Sequence, residues 1–169
     1  IIDSNSYYKQ NRLLELGINA DISPVQKDNY ESLKNYIISK TVNYDLILIG
    51  AGSSAGTKDF AKAIFEQNGK VYCHGINIKP GKPTIIGSIN NTPLIGMPGY
   101  PVSTYIAFEE VVKPLIELLT GIKKTESVVM KAKIVKKVYS SLKNHEFVRV
   151  RLGFVNNQLV AVPLDRKAG

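Results

Sequence analysis

Asp45-Leu46-Ile47-Leu48-Ile49-Gly50-Ala51-Gly52-Ser53-Ser54-Ala55-Gly56-Thr57-Lys58-Asp59 sets a short unbroken apolar run directly before a tract of very small residues. An apolar run that does not alternate predicts a central parallel strand covered on both faces. The small residues of 50–57 then form a loop, and helical spacing returns over 59–67 until Asn68-Gly69 stops it. Val71-Tyr72-Cys73-His74 restores the extended pattern, so the unit is strand, loop, helix, strand. In an open α/β sheet the crevice at the carboxyl ends of the strands is where ligands bind.

Working outward, Asp3-Ser4-Asn5 supplies side-chain oxygens for the free first-turn amides of a helix over 5–16, which Gly17 ends. Residues 18–22 read as a strand, and Asp28 precedes a helix over 29–40 that carries Leu33, Tyr36 and Ile37 on one face. Strands over 84–89 and 93–97 flank Asn90-Asn91, a dipeptide that tolerates positive φ, and so predict a hairpin. A helix over 102–119 aligns Phe108, Val111, Val112, Leu115 and Leu119, and Pro114 removes an amide and predicts a kink. Together these elements predict an α/β fold: a three-layer α-β-α domain with a mostly parallel sheet.

The chain has 169 residues, 44% hydrophobic and 21% charged, enough for one α/β core and a smaller annex. Its +8 net charge is unevenly placed. Residues 1–121 carry eleven Lys and Arg against eleven Asp and Glu, whereas 122–169 carry eleven against three. That step predicts a domain boundary at 121/122. Beyond it, Phe147-Val148-Arg149-Val150-Arg151-Leu152 alternates with period two and Asn156-Asn157 turns the chain into 158–164, which predicts a small, incomplete, barrel-like β domain. Ile1-Ile2 directly before a helix cap and the abrupt Lys167-Ala168-Gly169 suggest a fragment whose first strand is missing. A lone Cys73 excludes an intrachain disulfide and a cysteine-based zinc cluster, and favours a reducing compartment, the cytoplasm. No apolar run approaches the roughly 18 residues that span a bilayer, so no membrane partner is expected.

Three stretches could carry chemistry. The loop Gly52-Ser53-Ser54-Ala55-Gly56-Thr57-Lys58-Asp59 lets backbone amides approach an anion, but fits neither the P-loop nor the Rossmann spacing, so a tight turn reads equally well. Lys79-Pro80-Gly81-Lys82-Pro83 offers two ammonium groups from a stiff loop, or is a solvated connector. Gly96-Met97-Pro98-Gly99-Tyr100-Pro101-Val102-Ser103 exposes first-turn amides and a hydroxyl, or simply starts a helix with proline. Asp28 and Asp59 precede helices, where a carboxylate serves as a cap or, in a phosphate crevice, holds a divalent cation. His74 and His145 lack ligand-spaced partners and read as structural, and Cys73 reads as core. The basic residues of 122–169 alternate along strands without interleaved aromatics, which favours a solvated face over nucleic acid.

The order of these motifs is more specific than any one of them. Asp3-Ser4-Asn5, Lys27-Asp28, the 52–59 loop, Ile78-Lys79-Pro80-Gly81-Lys82-Pro83 and Gly96 to Ser103 resemble the MoeA-type molybdopterin molybdenumtransferases, a family shared with the C-terminal domain of gephyrin. Glu146-Phe147-Val148-Arg149-Val150-Arg151-Leu152 and 163–169 resemble the start of that family's C-terminal β domain. The resemblance implies insertion of molybdate into molybdopterin from molybdopterin adenylate, with release of AMP and with Mg²⁺ present. It implies Asp28, Asp59, Lys79 and Lys82 as catalytic, Asp28 and Asp59 as metal ligands, and Gly52, Ser53, Ser54, Gly56, Pro98, Gly99, Pro101 and Ser103 as cofactor-binding. It also implies a homodimer for the intact protein and a fragment that is poorly active alone. Gly50-Ala51-Gly52, Gly75 and Tyr100 depart from the family pattern. A molybdopterin adenylyltransferase would place Thr-Gly-Gly-Thr-Gly after the corresponding strand, which this chain lacks, and a non-catalytic scaffold of gephyrin type would keep the fold with a relaxed pocket.

Overall fold

The structure, a computed structural model, describes residues 3–26, 28–50, 60–122, 128–140 and 142–164. Its first part contains helices α1 (Ser4–Glu15), α2 (Tyr30–Lys40), α3 (Phe60–Asn68), α4 (Pro101–Ala107) and α5 (Lys113–Thr120) around one sheet. That sheet holds β1 (Ile47–Gly50), β2 (Lys70–His74), β4 (Ile85–Ile89) and β5 (Thr92–Met97) in the order β1-β5-β4-β2. Between β2 and β4 lies the two-residue strand β3 (Ile78–Lys79).

Side-chain alternation along the strands produces the three layers. Leu94 of β5 enters one apolar cluster while Ile95 and Met97 enter the other. Ile85 and Ile89 of β4 side with Leu94, and Ile86 packs against the opposite cluster. One cluster is covered by Leu13 of α1 and by Ala107, Phe108, Val112 and Ile116; the other by Ile37 of α2 and Ile64 and Phe65 of α3. Residues one apart on a strand face opposite ways, so two buried clusters require helices on both sides. Each such buried side chain contributes about 1.5–3 kcal/mol.

β1 is parallel to β5 and covered on both faces, since Leu46 and Leu48 pack on one cluster and Ile47 and Ile49 on the other. Its position corrects the expectation of a central strand: among the described strands it lies at the sheet edge. The pairings of the described sheet are also mixed rather than mostly parallel, because β4 is antiparallel to both β5 and β2. The reason is the two-residue connection at Asn90-Asn91, with φ of 51° and 66°, which can return a strand only antiparallel to its neighbour. This hairpin is tied to the end of α2, where Thr92 Oγ1 donates to the Thr41 carbonyl at 2.8 Å and Asn90 Nδ2 to Thr41 Oγ1 at 3.0 Å.

Other expectations shift for identifiable reasons. Residues 18–22 form no strand; Gln10 Nε2 donates to the Ala20 carbonyl at 2.7 Å, so a side chain takes a group that a ladder would have used. The cap of α2 is Asn29, whose side chain accepts from the Ser32 amide at 2.9 Å, and Asp28 stands one residue outside it. The helix over 102–119 begins one residue earlier, at Pro101, and widens to a π-turn at Phe108–Val112 before Pro114. Proline cannot donate and its ring crowds the carbonyl four residues back, and a widened turn is one way a helix absorbs both. The helix ends at Thr120 with Gly121 at φ +69°. Cys73 is half-buried on β2 and its thiol donates to the Gly75 carbonyl at 3.0 Å, so it is not a core residue.

The remaining described residues carry β6 (Lys133–Ile134), β7 (His145–Glu146), β8 (Val150–Val155) and β9 (Gln158–Pro163). Asn156 and Asn157, at φ 49° and 60°, turn β8 into antiparallel β9, and β6 joins β9 in parallel to give an open three-stranded sheet. Among the described residues the sheet does not close into a barrel. The expected strand over 147–152 starts at Val150, because the Phe147 amide is taken by the Lys79 carbonyl where β7 pairs in parallel with β3. No helix among the described residues is long and apolar enough to cross a membrane.

Candidate functional site

The β3–β7 pairing decides where the site lies. Ile78 faces His145 and Lys79 faces Glu146 in register, with His145 N donating to the Asn77 carbonyl at 2.7 Å and Phe147 N to the Lys79 carbonyl at 2.8 Å. Two strands 67 positions apart thus bring Glu146, Phe147, Val148 and Arg149 against the Lys79 loop. The Lys79 ammonium lies 3.5 Å from Glu146 Oε1; the lysine side chain is 60% exposed and the glutamate side chain 5%. The cation therefore keeps access to solvent and ligand while the carboxylate beneath it is covered.

The loop that presents Lys79 is fixed by backbone bonds rather than by proline stiffness alone. Its Lys79–Pro80 peptide is cis and Gly81 has φ +113°. A Cβ at Gly81 would also meet Ile78 Cδ1 at 2.8 Å, so glycine is required there on both counts. Thr84 Oγ1, fully buried, donates to the Gly81 carbonyl at 2.8 Å, and Ile76 N donates to the Lys82 carbonyl at 2.9 Å. Lys82 itself is exposed and does not line the cavity described next.

A cavity of about 290 Å³ opens between this loop and the start of α4, lined by Lys79, Tyr100, Ser103, Phe147 and Arg149 among others. Buried Thr104 organises the α4 side, donating through Oγ1 to the Pro98 carbonyl at 2.6 Å and lying 3.1 Å from the Tyr100 carbonyl. Asn5 Nδ2 of α1 donates to the Gly99 carbonyl at 2.7 Å. Pro101 occupies the first helical turn of α4, where its missing amide costs nothing. A second cleft of about 410 Å³ lies on the other side of Pro101 and Val102, between α1 and α4, and Arg149 borders both.

α1 is held against this region by charge. Arg12 pairs with Glu109 at 2.6 Å and with Glu15, and hydrogen bonding to Glu109 raises the guanidinium pKa further. Burial, and next Glu109, push the adjacent Tyr8 phenol up to about 12. Asp3 caps α1 by accepting from Ser6 N at 3.1 Å, and hydrogen bonding from Ser6 holds its carboxyl below the usual range.

Of the residues expected to act, Lys79, Pro101 and Ser103 line one or other of these two cavities, and Pro98 and Gly99 form the turn beside them. Gly52, Ser53, Ser54, Gly56 and Asp59 lie outside the described residues. Asp28 is exposed, and no group of three His, Cys, Asp or Glu among the described residues is placed to hold a metal ion. His74 and His145 are exposed; His145 packs against Phe147 with ring centroids 5.0 Å apart. Sequence reasoning gave no role to Arg149, Phe147 or Tyr100 as site residues. The signal was available in Glu146 to Arg149, but alternation made that stretch look like one strand with a solvated basic face.

Comparison with known proteins bears on these features. The family described as "Probable molybdopterin binding domain" matches residues 1–118. A molybdopterin molybdenumtransferase of Haemophilus influenzae is 39% identical over 94 residues, covering 56% of this chain and 23% of the relative. One of a Nostoc species is 27% identical over 153 residues, covering 88% and 35%. The crystal structure of a molybdopterin biosynthesis MoeA protein from Pyrococcus horikosii superposes with a TM-score of 0.79 at 33% identity, over 100% of this chain and 40% of that one. The chain thus spans about a quarter to a third of the length of these two curated relatives.

Proposed function

The chain belongs to the molybdopterin-binding domain family, and from that premise we propose that the intact protein is a molybdopterin molybdenumtransferase of molybdenum cofactor biosynthesis. The reaction would take molybdopterin adenylate and molybdate as substrates, insert the metal into the dithiolene and release AMP. The observation that supports a ligand site here is the convergence of three groups on one cavity: Lys79 and Arg149, brought together by the β3–β7 pairing, and Ser103 from α4.

In this reading the chain's own groups bind and orient an anionic, partly planar ligand. Lys79 offers a solvent-accessible ammonium to phosphate or molybdate oxygens, and such charge-assisted contacts are about twice as strong as neutral ones. Ser103 contributes a hydroxyl, and Tyr100 and Phe147 supply aromatic walls that exclude water from one side of the ligand. Preorganised charge in a partly dry cleft stabilises the negative charge that develops as a pyrophosphate bond breaks. The 52–59 loop, Pro98 and Gly99 would complete the phosphate end, and Lys82 would add charge from the loop rim. Asp28 and Asp59 are the proposed ligands for Mg²⁺; of the two only Asp28 is among the described residues, and no group of three His, Cys, Asp or Glu gathers there, so no step here runs through the cation. We further propose a domain boundary at 121/122, a homodimer for the intact protein, a cytoplasmic setting and weak activity for this chain alone.

Calorimetric titration of molybdopterin adenylate into the chain and into Lys79→Ala and Asp59→Ala variants tests the reading. Weakening by about tenfold or more, roughly 1.4 kcal/mol, is expected for each variant. Equal affinity in all three proteins would remove the site from these loops.

A further inference from the structure

The cleft of about 410 Å³ between α1 and α4 is larger than the cavity that holds Lys79, and the functional reading gives it no role. Its walls follow from helical spacing. Ser4, Asn5 and Tyr8 lie on one side of α1, and Val102, Tyr105 and Ile106 on one side of α4, because positions three and four apart share a face. The aromatic part is braced from the core: the Tyr8 ring meets that of buried Phe108 edge-on, with centroids 6.0 Å apart, and lies 5.9 Å from the Tyr105 ring. Tyr105 keeps 47% of its surface exposed. Asn5 Nδ2, by donating to the Gly99 carbonyl at 2.7 Å, ties the first turn of α1 to the turn that opens α4, so the two walls are held in fixed relation.

Among the described residues Arg149 is the one charged group lining this cleft, and it lines the Lys79 cavity as well, as Val102 does. The two spaces are therefore neighbours, parted by the start of α4 and sharing a cation. Walls of tyrosine, proline, valine and isoleucine do not suit a bare oxyanion, which would give up its hydration without partners in return. They suit a flat ring, because aromatic side chains stack on any heteroaromatic face. There is room for one: about 410 Å³ falls within the roughly 300–1,000 Å³ of pockets that enclose small ligands. An uncharged apolar guest would make no use of Arg149, whereas a ring joined to a phosphate uses the walls and the cation together.

We infer that the cleft between α1 and α4 is a ring-binding subsite continuous with the proposed site: a heteroaromatic ring stacks against the Tyr105 and Tyr8 wall while the phosphate it carries reaches Arg149 and the Lys79 cavity. The inference rests on the functional reading above and adds to it the place of the ligand's planar end. Two parts of molybdopterin adenylate have this chemistry, the adenine and the pterin, and separate probes distinguish them.

AMP, molybdopterin and ribose 5-phosphate are titrated separately into the chain and into Tyr105→Ala, Tyr105→Phe and Lys79→Met variants. Tyr105→Ala should weaken a ring-bearing ligand about tenfold and leave ribose 5-phosphate, which has a phosphate and no aromatic ring, unchanged. Tyr105→Phe should retain the affinity, since the stacking face survives. Loss for AMP assigns the cleft to the adenine, and loss for molybdopterin assigns it to the pterin. Unchanged binding of both ring ligands by Tyr105→Ala, with Lys79→Met weakened for all three, overturns the subsite and leaves the functional reading standing. An equal loss for ribose 5-phosphate in Tyr105→Ala traces to distortion of α4 and also overturns the subsite. Failure of the unaltered chain to bind any of the three takes down both. Should Tyr105→Ala not fold, the ring ¹H signals of Tyr105 in the unaltered chain decide: a shift with AMP or molybdopterin that ribose 5-phosphate does not produce supports the contact, and signals that stay still overturn it. A Tyr105 phenol shielded from chemical modification in the ligand-free intact protein would put a protein segment in the cleft and overturn the subsite as well.

Discussion

The two parts of the chain bury themselves to very different degrees. In the α/β part, Ile64, Phe65, Ile85, Leu94, Ile95, Met97, Phe108 and Val112 have no accessible surface, and they fall into two clusters on opposite faces of one sheet. Among the described residues of the β part only Val160 and Ala161 of the central strand are buried, while every residue of β8 is exposed, Phe154 by 75%. A sheet covered by helices on both faces builds a core, whereas three strands alone protect only the middle one. The exposed part nonetheless supplies Phe147 and Arg149 to the cavity, so an element with almost no core of its own completes a site whose scaffold lies elsewhere.

That contrast can be broken first at the core. Phe65→Ala or Phe108→Ala should cost about 3–5 kcal/mol in chemical denaturation, because each leaves a cavity inside a closed cluster. Gly69→Ala should cost about 1–3 kcal/mol by crowding, since a Cβ there would stand 2.0 Å from the Ser88 carbonyl oxygen and backbone must move. Asp3→Ala, which removes the cap of α1, should cost about 1 kcal/mol at neutral pH. The sign of its pH dependence follows from its lowered pKa. The cap's contribution is present above the ordinary value of 3.8 and lost as pH falls through the lower folded value, so the variant should converge with the parent in acid melts. Tyr8 acts at the other extreme: with its phenol raised from 10.0 to about 12, stability should decline as pH climbs between those values, and Tyr8→Phe should remove that decline. The smallest effect is expected on the exposed sheet, where Phe154→Ala should change stability by no more than about 0.5 kcal/mol. A loss of several kcal/mol there would mean that the two parts are not as different as their burial indicates.

Much of this was legible in the residues themselves. Asn90-Asn91 and Asn156-Asn157 announced both hairpins, because few other residues accept positive φ at two successive positions. The run Leu46 to Ile49 announced a strand covered on both faces, and Asp3 and Gly17 marked the two ends of α1 through capping chemistry that acts within a few residues. The motif order around Lys79 and Ser103 pointed to the family. Local signals misled where a tertiary partner competed for the same groups: Gln10 took the Ala20 carbonyl from a strand that periodicity favoured, and the Lys79 carbonyl took the Phe147 amide from the strand expected over 147–152.

By itself, then, the sequence determined the helices, both asparagine turns, most of the strands and the family, since propensities, caps and alternation are set by residues near one another in the chain. Only the tertiary structure decided that Arg149 and Phe147 meet Lys79, that Asn5 anchors Gly99, and that Lys9 is buried. Those contacts depend on backbone pairing and helix packing across 67 to 94 positions of sequence, and no local periodicity encodes which distant groups a fold will bring to one place.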